Sequence, residues 1–193
     1  MPRYDETGYS VLTVSASDRF IQAAGRSFKL HMRHDTAKSV AGARRRVLET
    51  EYDLVIIDAP LTDESGELFA LDAVRETNAS VLIAVPPEVY KDMLELLTDF
   101  GILVVSKPVA PGQLDKYIRL LTAVQNKLRT LRKEIATVRE KMDEMRVVNK
   151  AKFMLVENKH MTEDEAHRYI GKQAMNNGVS RRRIAEAILE DYE

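Results

Sequence analysis

Residues 81–108 read VLIAVPPEVYKDMLELLTDFGILVVSKP. Two short apolar runs, 81–85 and 102–105, flank a stretch at 89–100 whose apolar residues recur at three- and four-residue spacing. Runs of that length read as buried strands and the spacing between them as an amphipathic helix, so the segment predicts a strand, a helix and a second strand. The same alternation continues towards the N-terminus. Apolar runs at 9–14, 28–32 and 54–57 are separated by helix-like stretches at 18–24, 37–50 and 68–77. Five strands alternating with helices predict an α/β domain over residues 1–112, built on a doubly wound parallel sheet covered on both faces. Such a sheet carries its site at the C-terminal strand ends.

Beyond Pro111 the strand pattern stops. Leu121, Val124, Leu128, Leu131, Ile135, Val138, Met142 and Met145 recur in strict alternation of three and four. With Leu121 at position a, every a and d position of four heptads is apolar, which predicts a two-stranded coiled coil over 113–148 and hence a homodimer. The alternative is a long helix packed on its own domain. In a parallel pair Glu134 would face Arg139, but Lys127 would face Arg132 and Lys141 would face Arg146, so flanking charges do not set the orientation. Residues 149–193 then form a small helical module. Thr162 and Glu165 make a capping box that opens one helix, Asn176-Asn177-Gly178 closes it, and Ser180 caps the last. A module this small is expected to lean on the coil helix for its core.

The net charge of −1 conceals two opposite halves. Residues 1–112 carry 12 Lys+Arg against 17 Asp+Glu, and residues 113–193 carry 17 against 13, so an acidic part precedes a basic one. With no cysteine, disulfides, thiolate metal sites and cysteine nucleophiles are excluded. No apolar run is long enough to span a membrane and MPRYDETGYS has no apolar signal core, so a cytoplasmic protein is expected. His31, His34, His160 and His167 make no metal-ligand cluster, and no nucleophile, base and orienter can be assembled, so an enzyme is not expected.

The stretch 146–189 resembles the ANTAR domain, the RNA-binding module of transcription antitermination regulators. The residues that carry the likeness are Ala151-Lys152, Met154-Leu155, Met161-Thr162-Glu163-Asp164-Glu165-Ala166, Ile170, Gln173-Ala174-Met175 and Ile184-Ala185-Glu186-Ala187-Ile188. Phe153 departs from it, standing where the family usually has glycine. The first half resembles the CheY-like receiver domain of response regulators in two-component signalling. Asp58 in LVIIDAP stands where the phosphoacceptor would sit, and Ser106-Lys107-Pro108 matches the lysine-proline pair. The acidic pair after the first strand is replaced by Ser15-Ala16, with Asp18 nearby, and Val85-Pro86 replaces the hydroxyl after the fourth.

The resemblance therefore implies a pseudo-receiver. A divalent cation needs several oxygens. No cofactor is expected, Mg²⁺ included, and Asp58 is expected to be inactive, with Lys107 and Asp18 as remnants of the site. It also implies a dimer that binds tandem hairpins in nascent leader RNA and prevents terminator formation, controlled through a sequestering protein partner instead of a phosphorelay. The RNA-facing residues are expected to be Lys152, Arg168, Lys172, Gln173, Arg181, Arg182 and Arg183. Arg168 and Lys172 are four apart and share a helix face. Cations at the start of the last helix are disfavoured by its dipole unless an anion compensates. Two other readings use the same residues: a DNA-binding response regulator with a C-terminal helix-turn-helix, or a pure protein-interaction module.

Overall fold

The structure is a computed structural model that describes residues 8–28 and 32–192, and the chain divides into two compact units, 1–128 and 129–193. In the first unit the strands β1 (Ser10–Val14), β2 (Arg33–Ala37), β3 (Leu54–Asp58), β4 (Ser80–Val85) and β5 (Leu103–Ser106) form one parallel sheet in the order β2-β1-β3-β4-β5. The helices between them are α1 (Asp18–Arg26), α2 (Val40–Glu49), α3 (Glu67–Glu76) and α4 (Tyr90–Leu97), the last continued by a 3-10 turn at Thr98–Phe100. Helix α5 (Pro111–Lys159) follows the sheet.

Alternation along β3 divides the core. Val55 and Ile57 face a cluster with Val40 of α2, Phe69 of α3 and Leu97 of α4, while Leu54 and Ile56 face Ala24 of α1 and Leu114, Ile118 and Leu121 of α5. The opening turns of α5 therefore belong to the α/β unit, which ends at Leu128 and not at 112. Leu121, expected in the dimer seam, is buried in this core at 8% exposure. The other seam positions, from Val124 at 45% to Met145 at 63%, are exposed.

The second strand corrects the sequence reading. It runs Arg33–Ala37 and not 28–32, and of the expected stretch Lys29, Leu30 and His31 lie outside the described residues. As an edge strand, β2 is paired only with β1, in the register Ser10↔Arg33 to Val14↔Ala37, and buries Ala37 alone. The polar sequence RHDTA suits that place, and the apolar run before it misled. Because Ala37 ends the strand, α2 starts later than expected, after Ser39, whose hydroxyl accepts from Gly42 N–H. Both Val40 and Ala41 N–H groups donate to the Asp63 carboxylate at 2.9 Å, which holds that carboxyl below its ordinary value.

A polar clasp fastens α5 to the opposite end of the sheet. The Gln125 side chain, 1% exposed, donates to the carbonyls of Asp53 (3.1 Å) and Asn78 and accepts from the Ser80 hydroxyl. Tyr9 hydroxyl donates to the Asn126 side chain beside it. The Asp53 carbonyl also accepts from Ser80 N–H at 2.9 Å, so the Gln125 amide adds to a pairing already present between β3 and β4.

In the second unit the end of α5 packs with α6 (Glu163–Asn177) and α7 (Arg181–Glu190) around Ala151, Leu155, Ala166, Ile170, Ala185 and Ile188. The module takes part of its core from α5, as its size requires. The capping box at Thr162 and Glu165 is formed, Gly178 closes α6 at φ 63°, and the Ser180 hydroxyl accepts from Arg183 N–H. Among the described residues no helix is long and apolar enough to cross a membrane.

Substituting Gln125→Leu removes the side-chain hydrogen bonds to the Asp53 and Asn78 carbonyls, the former keeping its bond from Ser80 N–H, and the expected cost is about 1 kcal/mol. Urea unfolding followed by circular dichroism checks this; an unchanged midpoint would mean that the clasp contributes nothing.

Candidate functional site

The basic residues of the second unit are distributed unequally. Arg168 and Lys172 are exposed, one turn apart on α6. An open groove of about 440 Å³ between α6 and α7 is bordered by both, together with Gly171, Met175, Val179 and Arg181. A second, of about 470 Å³, lies on the other side of the same two cations, against Lys159, His160, Met161 and Tyr169. Arg168 and Lys172 therefore form a cationic ridge between two grooves. Arg183 is exposed at the start of α7.

Other expected members of this face are engaged inside the unit. Lys152 has a side chain only 15% exposed and pairs with Glu163 at 2.8 Å, tying α5 to α6 and holding the Glu163 carboxyl below its ordinary value. Arg182 pairs with Glu186 at 2.8 Å, with Asp143 and Glu140 adding to the negative field that raises its guanidinium pKa. These carboxylates supply part of the compensation that cations at a helix start require. The Gln173 amide oxygen is turned to its own helix, accepting weakly from Asn177 at 3.4 Å. Tyr169 packs at the edge of the core, and the Lys159 ammonium lies 5.5 Å from its ring centroid, so that face is occupied.

At the sheet's C-terminal edge, Asp58 is buried. One carboxylate oxygen pairs with the Lys107 ammonium, and the other accepts from the Ser15 hydroxyl at 2.6 Å. Ser15 itself is fixed by the Ser17 N–H, which donates to its oxygen at 3.0 Å. Asp18 is absent from this arrangement: as the first residue of α1 it forms an exposed pair with Lys38 at 3.0 Å. A single carboxylate with both oxygens engaged does not fit a divalent cation. Among the described residues no group of three His, Asp or Glu is placed to hold a metal.

The ANTAR domain family matches residues 136–189. This stretch of the chain is an ANTAR domain. The protein is 27% identical over 139 residues to the transcriptional regulatory protein PdtaR of Mycobacterium tuberculosis, an alignment covering 72% of this chain and 67% of the relative. Among solved structures it is similar to the chemotaxis response regulator CheY4 of Vibrio cholerae, with a TM-score of 0.51 and 21% identity over 60% of this chain and 99% of that one. The signal receiver domain of an HD domain-containing protein from Pseudomonas fluorescens Pf-5 gives a TM-score of 0.58 and 17% identity over 67% and 97%. At such identities the likeness shows the fold alone, which is that of a CheY-like receiver.

Within the ANTAR domain the structure thus brings together Arg168, Lys172 and Arg181 and sets Lys152, Arg182 and Gln173 to internal contacts. Sequence reasoning missed Gly171, Met175 and Val179 as groove residues, and missed Ser15 as a partner of Asp58. The signal for Ser15 lay in its position: a hydroxyl at the end of β1, adjacent to the end of β3.

The capping box makes the ANTAR domain sensitive to acid. Thr162 N–H donates to the Glu165 carboxylate at 2.8 Å, holding it below the ordinary glutamate value, as Lys152 does for Glu163. Both carboxyls have folded-state pKa values below their unfolded ones, so their stabilisation is present above the ordinary glutamate range and lost as pH falls through the folded values. Thermal melts followed by circular dichroism should hold a constant midpoint at neutral pH and decline below that range. Thr162→Ala, which keeps the backbone N–H bond to Glu165, is expected to cost about 1 kcal/mol at neutral pH and to retain most of the decline, whereas Glu165→Gln is expected to flatten it. Glu165→Gln with the stability and acid profile of the parent would show that the capping box does not contribute.

Proposed function

We infer that the protein is an RNA-binding regulator of transcription that acts by antitermination. The ANTAR match over 136–189 carries this reading, and the ridge of Arg168 and Lys172 with Arg181 across the groove supports it. Unpaired RNA is recognised by cations on its phosphates and by groups that reach its bases. PdtaR, a transcriptional regulatory protein by name, is consistent with the regulatory part.

A homodimer forms through the exposed α5 positions Val124, Leu128, Leu131, Ile135, Val138, Met142 and Met145. It presents two ANTAR domains to a nascent leader, each holding one hairpin of a tandem pair, so that the terminator does not form. The second contact is favoured by the effective concentration the first creates. Control passes through contact with a sequestering protein partner, not through phosphorylation. What supports this is the engagement of both Asp58 carboxylate oxygens by Ser15 and Lys107.

The test is binding of the full chain to a two-hairpin leader RNA across a range of salt concentrations. Affinity should fall as salt rises, and Lys172→Ala should weaken binding to every loop sequence alike while reducing the slope of log K against log salt by about 1. Duplex DNA should compete poorly. A folded, dimeric protein with no salt-sensitive affinity for hairpin RNA would overturn the reading, and preferred binding to duplex DNA would replace it with a helix-turn-helix.

A further inference from the structure

Gly171 lies in the interior of α6, where glycine is among the least favourable residues for a helix. Its backbone does not call for it: the positive-φ glycines among the described residues are Gly66, Gly101 and Gly178. What the missing side chain does is open the groove. A Cβ at 171 would stand 3.8 Å from Arg181 Nη2 and 3.9 Å from its Nε, an ordinary contact, so any longer side chain would grow into the space beside that guanidinium. A local rule broken in this way, with a cavity as the result, points to use of the cavity.

The groove also has an unusual lining for a surface. Met175 is 83% exposed and Val179 40% exposed, and both border the groove beside Arg168, Lys172 and Arg181. Apolar surface within reach of several cations matches the two parts of an unpaired nucleotide, a flat base and a charged phosphate. A guanidinium beside the base adds a stacking or hydrogen-bonding partner. Double-stranded nucleic acid keeps its bases stacked and offers phosphates and base edges, not a base face. Acidic side chains alone would satisfy the cations and leave Met175 and Val179 uncovered.

We propose that the α6–α7 groove opened by Gly171 receives one unpaired base of an RNA hairpin loop, against Met175 and Val179 and beside Arg181, with Arg168 and Lys172 on the neighbouring phosphates. This rests on the RNA-binding reading above and names the residues that distinguish a loop from a stem. Gly171 acts by leaving space, and the base at one loop position fills it.

The experiment uses the full chain and an RNA hairpin of fixed stem whose loop has been selected for binding, with an abasic nucleotide placed at each loop position in turn. The wild type should lose about tenfold or more in affinity at one position, the scale of a lost base stack. Gly171→Leu should bind the intact loop about as weakly as the wild type binds that abasic RNA, and should lose nothing further when the base is removed. Its dependence on salt should be unchanged. Gly171→Ala, which helix propensity favours, provides a well-folded second variant, with a raised melting midpoint and a smaller loss at the same position. If both variants fold and bind the intact loop as the wild type does, or if every loop position responds equally, the inference is overturned while RNA binding stands. Absence of hairpin binding by the wild type overturns both. Retained RNA affinity in Gly171→Leu with loss of an acidic peptide bound by the wild type would assign the groove to a peptide instead.

Discussion

A parallel sheet has to be covered on both faces, and here one face is closed by the opening turns of α5. Leu114, Ile118 and Leu121 lie over Leu54, Ile56 and Leu82, and Gln125 fastens the next turn to the carbonyls of Asp53 and Asn78. The same helix supplies Ala151 and Leu155 to the ANTAR core. Each unit therefore depends on α5 for burial. Between those two sets of buried residues the apolar heptad positions from Val124 to Met145 are exposed, at 37% to 63%. A second copy of the helix is the cover that their heptad spacing suits.

The strand-end site follows a different logic from the ANTAR face. Asp58 is buried and fully engaged: Lys107 offsets its charge, and Ser15 satisfies its second oxygen. The pair and its hydroxyl partner form a closed polar network, which rigidifies a sheet end where an acidic cluster would need a cation to relieve repulsion. On the ANTAR domain the charges are open. Lys152 ties α5 to α6 through Glu163, and Arg182 is paired along α7 with Glu186, leaving Arg168, Lys172 and Arg181 to border an open groove. The cations bordering the groove are the ones proposed above to meet an anionic ligand.

Much of this was legible in the sequence for reasons that can be named. Strands β1, β3 and β4 are buried on both faces, so each is a nearly continuous apolar run. At the edge, β2 needs no such run, and RHDTA carried no strand signal while the run just before it did. The heptads were visible, but periodicity alone does not say against what a stripe packs, and Leu121 belongs to the sheet. The capping boundaries of α6 and α7 were local and were read correctly. Lys152 with Glu163, and Arg181 over Gly171, depend on contacts between different helices, which spacing along one helix does not reveal.

As proposed above, the α5 seam associates without a phosphorylation switch, Asp58 being engaged by Lys107 and Ser15. Sedimentation velocity of the full chain, with and without a small-molecule phosphoryl donor and Mg²⁺, tests it most directly. A dimer of the same sedimentation coefficient is expected in both conditions. A monomer that becomes a dimer only with the donor would contradict it.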